Sequence, residues 1–83
     1  MKIYGYKGKC NIAGEQVRSL REKYGLSQEQ LAVRLQLEGI QVNQKAISRI
    51  ETGERVVADY ELLTLAKVLG VSAAQLLGEE AKP

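Results

Sequence analysis

Residues 43–53 have the sequence NQKAISRIETG, and this stretch decides how the rest of the chain is interpreted. Asn43 is a favoured helix N-cap, and Gly53 is the residue type that most often follows a helix end, so a helix is predicted between them. Its apolar side chains share one side: Ala46, Ile47 and Ile50. Its other side has no acid and carries Gln44, Lys45, Ser48, Arg49 and Thr52.

This polar side is chemically suited to DNA. Glutamine matches the edge of adenine, arginine or lysine matches guanine O6 and N7, and serine pairs with either base. A helix that carries these groups fits a major groove about 12 Å wide. A polar stripe is also the ordinary solvent-facing side of a helix, so the helix alone leaves both interpretations open.

Two charged residues interrupt the apolar faces of the predicted helices in a matched way. Arg21 lies four residues after Val17, beside the first apolar stripe, and Glu51 lies four residues after Ile47. Buried charges are tolerated only when they are paired and hydrogen-bonded. We therefore predict an Arg21–Glu51 ion pair that orients the polar helix, since a guanidinium can donate two parallel bonds. The alternative is that both side chains extend to solvent.

Four further helices are predicted, which makes the chain all-α. Their bounds follow from apolar spacing, N-caps, capping boxes and terminal glycines. The five helices are predicted to start at Ile12 or Gly14, at Ser27, at Asn43, at Ala58 or Asp59, and at Ser72. The first stripe comprises Ala13, Val17, Leu20 and Tyr24.

A single domain is expected from the length of 83 residues. We predict a basic N-terminal arm at 1–11, a helical domain at 12–78 and a flexible tail at 79–83. The arm has three lysines and no acid, and it is expected to be extended or a short strand. It either follows a phosphate strand or pairs across a dimer. Without an 18-residue apolar window or a signal peptide, the protein is expected to be soluble and cytoplasmic.

The composition argues against an enzyme. Histidine is absent and Cys10 is the one cysteine, which removes most metal sites, disulfides and nucleophile systems. There is also no glycine-rich phosphate loop, so no cofactor, metal or small-molecule ligand is expected. Residues 1–57 carry ten basic and six acidic side chains, and residues 58–83 carry two and four. This weak basic excess suits an anionic partner, although ordinary surface variation explains it equally well.

Three blocks, in this order, resemble the XRE-type (Cro-like, phage-repressor-like) helix-turn-helix family. They are LSQEQLA at 26–32, ISRIETG at 47–53 and LLTLAKVLGV at 62–71. The likeness spans residues 14–77, and three ordered blocks are far more specific than one. It implies that residues 12–78 form a five-helix, lambda-repressor-like DNA-binding domain, and that the second and third helices form the helix-turn-helix at about 27–52.

The resemblance also implies roles for individual residues. Base-edge contacts are implied for the positions of Gln44, Lys45 and Arg49, and DNA-backbone contacts for those of Gln28, Asn43, Thr52 and Arg55. A phosphate contact at Gln28 is physically reasonable because a helix N-terminus offers free amides and the positive end of the dipole. The pair that matches Arg21 and Glu51 is often a buried salt bridge in the family.

Two segments depart from the family pattern. The connection between Leu35 and Asn43 is about five residues longer than the usual turn, and we predict an added helical turn at 36–38 followed by a loop at Gly39. This length leaves the angle of the third helix open. Before the fourth helix, VVA at 56–58 stands where members often have proline, and these valines, with Tyr60 or Leu63, are candidates for a dimer surface.

The leading hypothesis is a sequence-specific, DNA-binding transcriptional regulator. It is expected to be a repressor that binds a near-palindromic operator as a homodimer through the major groove, with half-sites about 34 Å apart. The alternative is a protein-interaction module, such as an antitoxin or a regulatory subunit, that presents the same fold to a partner protein. Binding that weakens steeply with salt would distinguish the first from the second.

Overall fold

The computed structural model describes residues 5–79, which form five α-helices and no strand. The helices are α1 Gly14–Lys23, α2 Gln28–Leu37, α3 Gln44–Thr52, α4 Asp59–Leu69 and α5 Ala73–Leu76. The predicted all-α, five-helix fold is therefore confirmed. Residues 1–4 of the predicted arm and 80–83 of the predicted tail lie outside the described range. None of the helices within residues 5–79 has the length and apolar character needed to cross a membrane.

Helices α2, α3 and α5 begin where a side chain caps the backbone. The Ser27 hydroxyl accepts a bond from the Gln30 amide at 3.0 Å, and the Gln30 side chain accepts one from the Ser27 amide at 2.8 Å. Asn43 caps α3 by accepting from the Ala46 amide at 2.9 Å, and Ser72 caps α5 in the same way as Ser27. These bonds satisfy amides that have no partner in the first helical turn, and they place the three starts where the sequence predicts them.

The core lies between the helices and is aliphatic. Its fully buried large side chains are Val17, Leu31, Leu35, Ile47, Ile50, Leu65, Leu69 and Leu76. Burying one such side chain contributes about 1.5–3 kcal/mol relative to leaving it exposed. Because α3 packs against both α1 and α2, its isoleucines are fixed inward and its polar side faces out.

Tyr24 corrects one predicted core position. The spacing places it on the apolar stripe of α1, but its side chain is half exposed. The reason is that α1 has ended at Lys23, and Gly25 at φ 70° turns the chain away from the helix axis. Helical periodicity therefore no longer applies at this position.

Helices α1 and α3 lie against each other at Gly14 with no space for a side chain. A Cβ on Gly14 would overlap the carbonyl oxygen of Ile50 and would lie 3.0 Å from that of Glu51. Only a residue without a side chain allows two backbones to come this close. The contact fixes the C-terminal part of α3 against the beginning of α1.

The long α2–α3 connection is folded against the core. Helix α2 continues to Leu37, so most of the predicted added turn at 36–38 is helical, and Gly39 then adopts a left-handed conformation at φ 90°. The Gln36 side chain donates a 2.6 Å bond to the Val42 carbonyl, and Val42 is buried. The additional residues therefore leave α3 packed on its neighbours.

The described part of the arm differs from the extended segment that we expect from the sequence. Tyr6 and Lys9 exchange backbone hydrogen bonds of 2.7 and 3.0 Å. Lys7 and Gly8 between them have φ values of 53° and 82°, which is the requirement of a two-residue type I′ turn. We call residues 6–9 the basic turn.

Candidate nucleic-acid interface

The polar side of α3 is available to a partner. Gln44, Lys45, Arg49 and Thr52 are exposed and Ser48 is partly exposed. Within residues 5–79, the side chains of Lys45, Ser48 and Arg49 make no hydrogen bond or salt bridge to another residue. The two basic side chains lie four residues apart, so they project from the same face. This surface presents donors and positive charge without an acid among them.

A buried ion pair joins α1 to α3. Arg21 Nε donates to Glu51 Oε2 at 2.6 Å, and its Nη2 donates to Oε1 at 3.1 Å. The two side chains are 11% and 3% exposed. Arg21 Nη1 also donates to the Leu26 carbonyl at 2.7 Å, and the hydrogen bond to Glu51 raises the pKa of Arg21. The structure thus contains the bidentate pair that the spacing of the two residues indicates.

Gln28 joins this ion pair to the exposed side of α3. Its Nε2 donates to Glu51 Oε1 at 3.0 Å, and its Oε1 accepts a 2.6 Å bond from Gln44 Nε2. Glu51 therefore accepts three side-chain bonds, which satisfies a carboxylate that is taken out of water. The first residue of α3 is held by the first residue of α2.

The bond to Gln28 leaves Gln44 able to read a base. A glutamine amide has one acceptor oxygen and two N–H donors, and only one donor of Gln44 is used here. The remaining oxygen and N–H are the pair that matches adenine N6 and N7. The geometry fixes this side chain in place and keeps its recognition edge available.

The two ends of α3 carry the other polar candidates. Asn43 uses its Oδ1 to cap the helix, which leaves the side-chain amide group on the exposed surface. The Thr52 hydroxyl donates to the Arg49 carbonyl at 3.2 Å. Both residues therefore lie beside the polar side of α3, at its beginning and at its end.

Arg55 is placed differently from the other candidates. Its two terminal nitrogens each donate a 2.9 Å bond to the carboxylate of Glu61, and Nη1 also donates to the Val56 carbonyl. Glu61 accepts a further bond from the Ala58 amide at 3.0 Å, which caps α4. The hydrogen bonds to Arg55 lower the pKa of Glu61, and the same contact raises the pKa of Arg55. This guanidinium is held within the protein.

Asn11 is a structural residue of the site that the sequence interpretation missed. Its Nδ2 donates to the carbonyls of Ile50 and Arg55 at 3.1 and 2.7 Å, and its Oδ1 accepts from the Gly14 amide at 2.8 Å. One side chain thus joins the arm, the start of α1 and the segment after α3. The available signal was an asparagine three residues before a helix, which is a capping pattern.

Comparison with known proteins identifies a family and a similar solved structure. The family model described as a helix-turn-helix domain matches residues 12–77, a range that includes all five helices. The chain is also similar to a solved structure, the crystal structure of the P22 c2 repressor protein in complex with synthetic operator 9T in the presence of Tl+. The two share 30% sequence identity and a TM-score of 0.71, and the match covers 84% of this chain and 98% of the other. A comparison with curated proteins gives no match.

Proposed function

The chain belongs to the helix-turn-helix family of DNA-binding regulators, with a Cro-like, lambda-repressor-like fold, and we propose that it is a sequence-specific repressor that binds its operator as a homodimer. The observation that carries this proposal is the polar side of α3. Lys45 and Arg49 are exposed there and have no acidic partner among residues 5–79, and they lie next to a Gln44 side chain that Gln28 orients. Preorganised donors bind with less loss of side-chain freedom than mobile ones.

In this proposal α3 reads bases in the major groove. Gln44 pairs with adenine, and Lys45 or Arg49 pairs with guanine O6 and N7. Ser48, one turn after Gln44, contacts the intervening base pair. Each good bidentate pair contributes about 1–3 kcal/mol of discrimination against the wrong base.

Backbone contacts position the helix in the groove. Gln28 retains one N–H on its side-chain amide and lies at the N-terminus of α2, where unpaired backbone amides attract a phosphate. Asn43 and Thr52 contact the sugar–phosphate backbone at the two ends of α3. Arg55 contributes less than the family resemblance implies, because Glu61 holds both of its terminal nitrogens.

A homodimer is supported by an exposed apolar surface outside the helix-turn-helix. Val56, Tyr60 and Leu63 are exposed on the α3–α4 connection and on α4. Tyr60 and Leu63 are three residues apart and therefore lie on the same side of α4. A near-palindromic operator requires two α3 helices on one duplex, and this surface is the one that we propose a second copy covers.

Equilibrium titration with labelled duplex tests the proposal directly. Fluorescence anisotropy at several salt concentrations gives the slope of log K against log salt, which is about −0.9 for each phosphate that the protein neutralises. We expect measurable binding to any duplex at low salt and a slope that corresponds to several phosphates. No binding at low salt would contradict the proposal and would favour the protein-interaction module instead.

A further inference from the structure

The basic turn is attached to the end of α3. The amide of Cys10, the next residue, donates a 2.7 Å hydrogen bond to the carbonyl of Gly53. Gly53 is buried with φ 84°, and a Cβ added to it would lie 2.8–3.1 Å from the aliphatic carbons of Lys9. The aliphatic part of Lys9 therefore packs directly on Gly53, the residue at the C-terminal end of α3.

Asn11 makes this attachment rigid. Its side chain binds the carbonyls of Ile50 and Arg55 on either side of Gly53, and it accepts from the amide of Gly14. All three bonds lie in part-buried surroundings, where water competes less for the polar groups. These bonds hold the residue that follows the basic turn and Cys10 against the start of α1 and the end of α3.

The Lys9 side chain of the basic turn lies near the C-terminal end of the polar side of α3. Lys9 and Thr52 line the same groove between α1 and α3. The Lys7 ammonium lies 5.4 Å from the centre of the Tyr6 ring, and among the described residues no carboxylate lies within salt-bridge distance of it. Lys9 is 3.4 Å from Glu15, but these side chains are 46% and 82% exposed. An ion pair this exposed is held weakly, so a phosphate can replace the carboxylate.

We propose that the basic turn is a second DNA-binding element, in which Lys7 and Lys9 contact phosphates beyond the C-terminal end of α3. This inference rests on the proposed function, because it needs a duplex seated against α3. An unanchored basic arm would add charge without a fixed position. Here the attachment through Cys10 and Asn11 gives the phosphates contacted by the turn a constant distance from the base pairs that α3 reads.

A matched pair of double variants tests this element. Lys7→Ala with Lys9→Ala removes the charges of the turn, and Lys23→Ala with Lys67→Ala removes the same charge from exposed positions on α1 and α4. The probe is a labelled duplex that the native protein binds. We expect the first variant to make the salt slope shallower by about 0.9 for each phosphate that the turn no longer neutralises, and the control to leave it near the native value.

Ethylation interference locates the phosphates that the turn binds. In the native complex, we expect ethylation of the phosphates that flank the α3 site to block binding. In the Lys7→Ala/Lys9→Ala variant, ethylation of these flanking phosphates should no longer interfere, while interference at all other phosphates should be unchanged. Asn11→Ala keeps both lysines but loosens the attachment of the turn. Interference at the same flanking phosphates should therefore weaken, while interference at the phosphates contacted by α2 and α3 persists. If Asn11→Ala does not fold, as judged by circular dichroism, the two lysine variants decide the question.

The outcomes separate this inference from the proposed function. A native protein that binds the duplex, with the same slope and flanking pattern in the Lys7→Ala/Lys9→Ala variant, would overturn the inference and leave the function standing. A variant that instead loses dimerisation by sedimentation, with its flanking phosphates unchanged, would assign the turn to the dimer interface and would also overturn it. A native protein that binds no duplex would overturn both.

Discussion

Gln44, the first residue of α3, donates a 2.6 Å hydrogen bond to Gln28, the first residue of α2. Gln28 in turn donates to the buried carboxylate of Glu51, which Arg21 neutralises. The exposed glutamine that we assign to base reading is therefore oriented through a continuous set of bonds that reaches into the core. This arrangement gives the proposed site its preorganisation, and each of its members can be tested.

Coupling between the two glutamines is the first prediction. Gln28→Ala is expected to weaken binding to every duplex, because it removes a phosphate ligand, and to lower the preference at one base pair, because Gln44 is no longer held. In a double-mutant cycle of Gln28→Ala and Gln44→Ala, measured on the preferred duplex, we expect a coupling energy of about 0.5–3 kcal/mol. Strictly additive effects would show that Gln28 does not act through Gln44.

Arg49 is expected to carry base preference. Arg49→Ala should cost about 1–3 kcal/mol on the preferred duplex and should relax the choice of base at a single position. Arg34→Ala is the matched control, since Arg34 is an exposed arginine on α2 outside the polar side of α3. Titration of both variants against single-base-pair variants of the duplex makes the comparison. A uniform loss of affinity across those duplexes would reassign Arg49 to the phosphate backbone.

The Arg21–Glu51 pair is expected to stabilise the fold. Glu51→Leu leaves a buried guanidinium without its partner and should lower the free energy of unfolding by about 3–5 kcal/mol. Glu54→Ala, at an exposed neighbouring glutamate, should change it by no more than about 0.5 kcal/mol. Urea denaturation measures both values. Adding Arg21→Met to Glu51→Leu should recover part of the stability, and no recovery would argue against an electrostatic cause.

Acid should weaken the interaction between Arg55 and Glu61. The hydrogen bonds from Arg55 hold the pKa of Glu61 below its ordinary value of 4.5, so the carboxylate stabilises the fold above that value and loses this contribution as the pH falls through the lowered pKa. We expect the free energy of unfolding to fall as the pH drops below 4.5 and passes through the lowered pKa of Glu61, and to fall less steeply in Glu61→Gln. Parallel curves for the two proteins would mean that other carboxylates cause the acid sensitivity.

Capping residues and apolar spacing explain which parts of the fold the sequence predicts. Ser27, Asn43 and Ser72 each carry their capping partner within three residues, so the starts of α2, α3 and α5 follow from sequence alone. The pairing of Arg21 with Glu51 was also accessible, because both residues interrupt an apolar stripe and a buried charge needs a partner. These predictions depend only on spacing and on the cost of desolvation.

Contacts between distant segments are the part of the site that the sequence does not predict. The carbonyls that bind Asn11 belong to residues 39 and 44 positions away, and nothing in the local pattern identifies them. The Gln28–Gln44 bond spans 16 positions and depends on how the long α2–α3 connection packs. The family resemblance implies a DNA contact for Arg55, whereas its bidentate pairing with Glu61 depends on the path of the chain between α3 and α4. In each case tertiary geometry supplied information that spacing does not contain.

Selection of bound duplexes from a random pool tests the central claim most directly, because it reports binding, base preference and symmetry together. The account predicts enrichment of a near-palindromic site whose half-sites are centred about 34 Å apart. It also predicts that this enrichment disappears in the Gln44→Ala/Arg49→Ala variant. A recovered pool with no sequence enriched over the input, or one that the variant enriches equally well, would contradict the assignment of α3 as the helix that reads DNA.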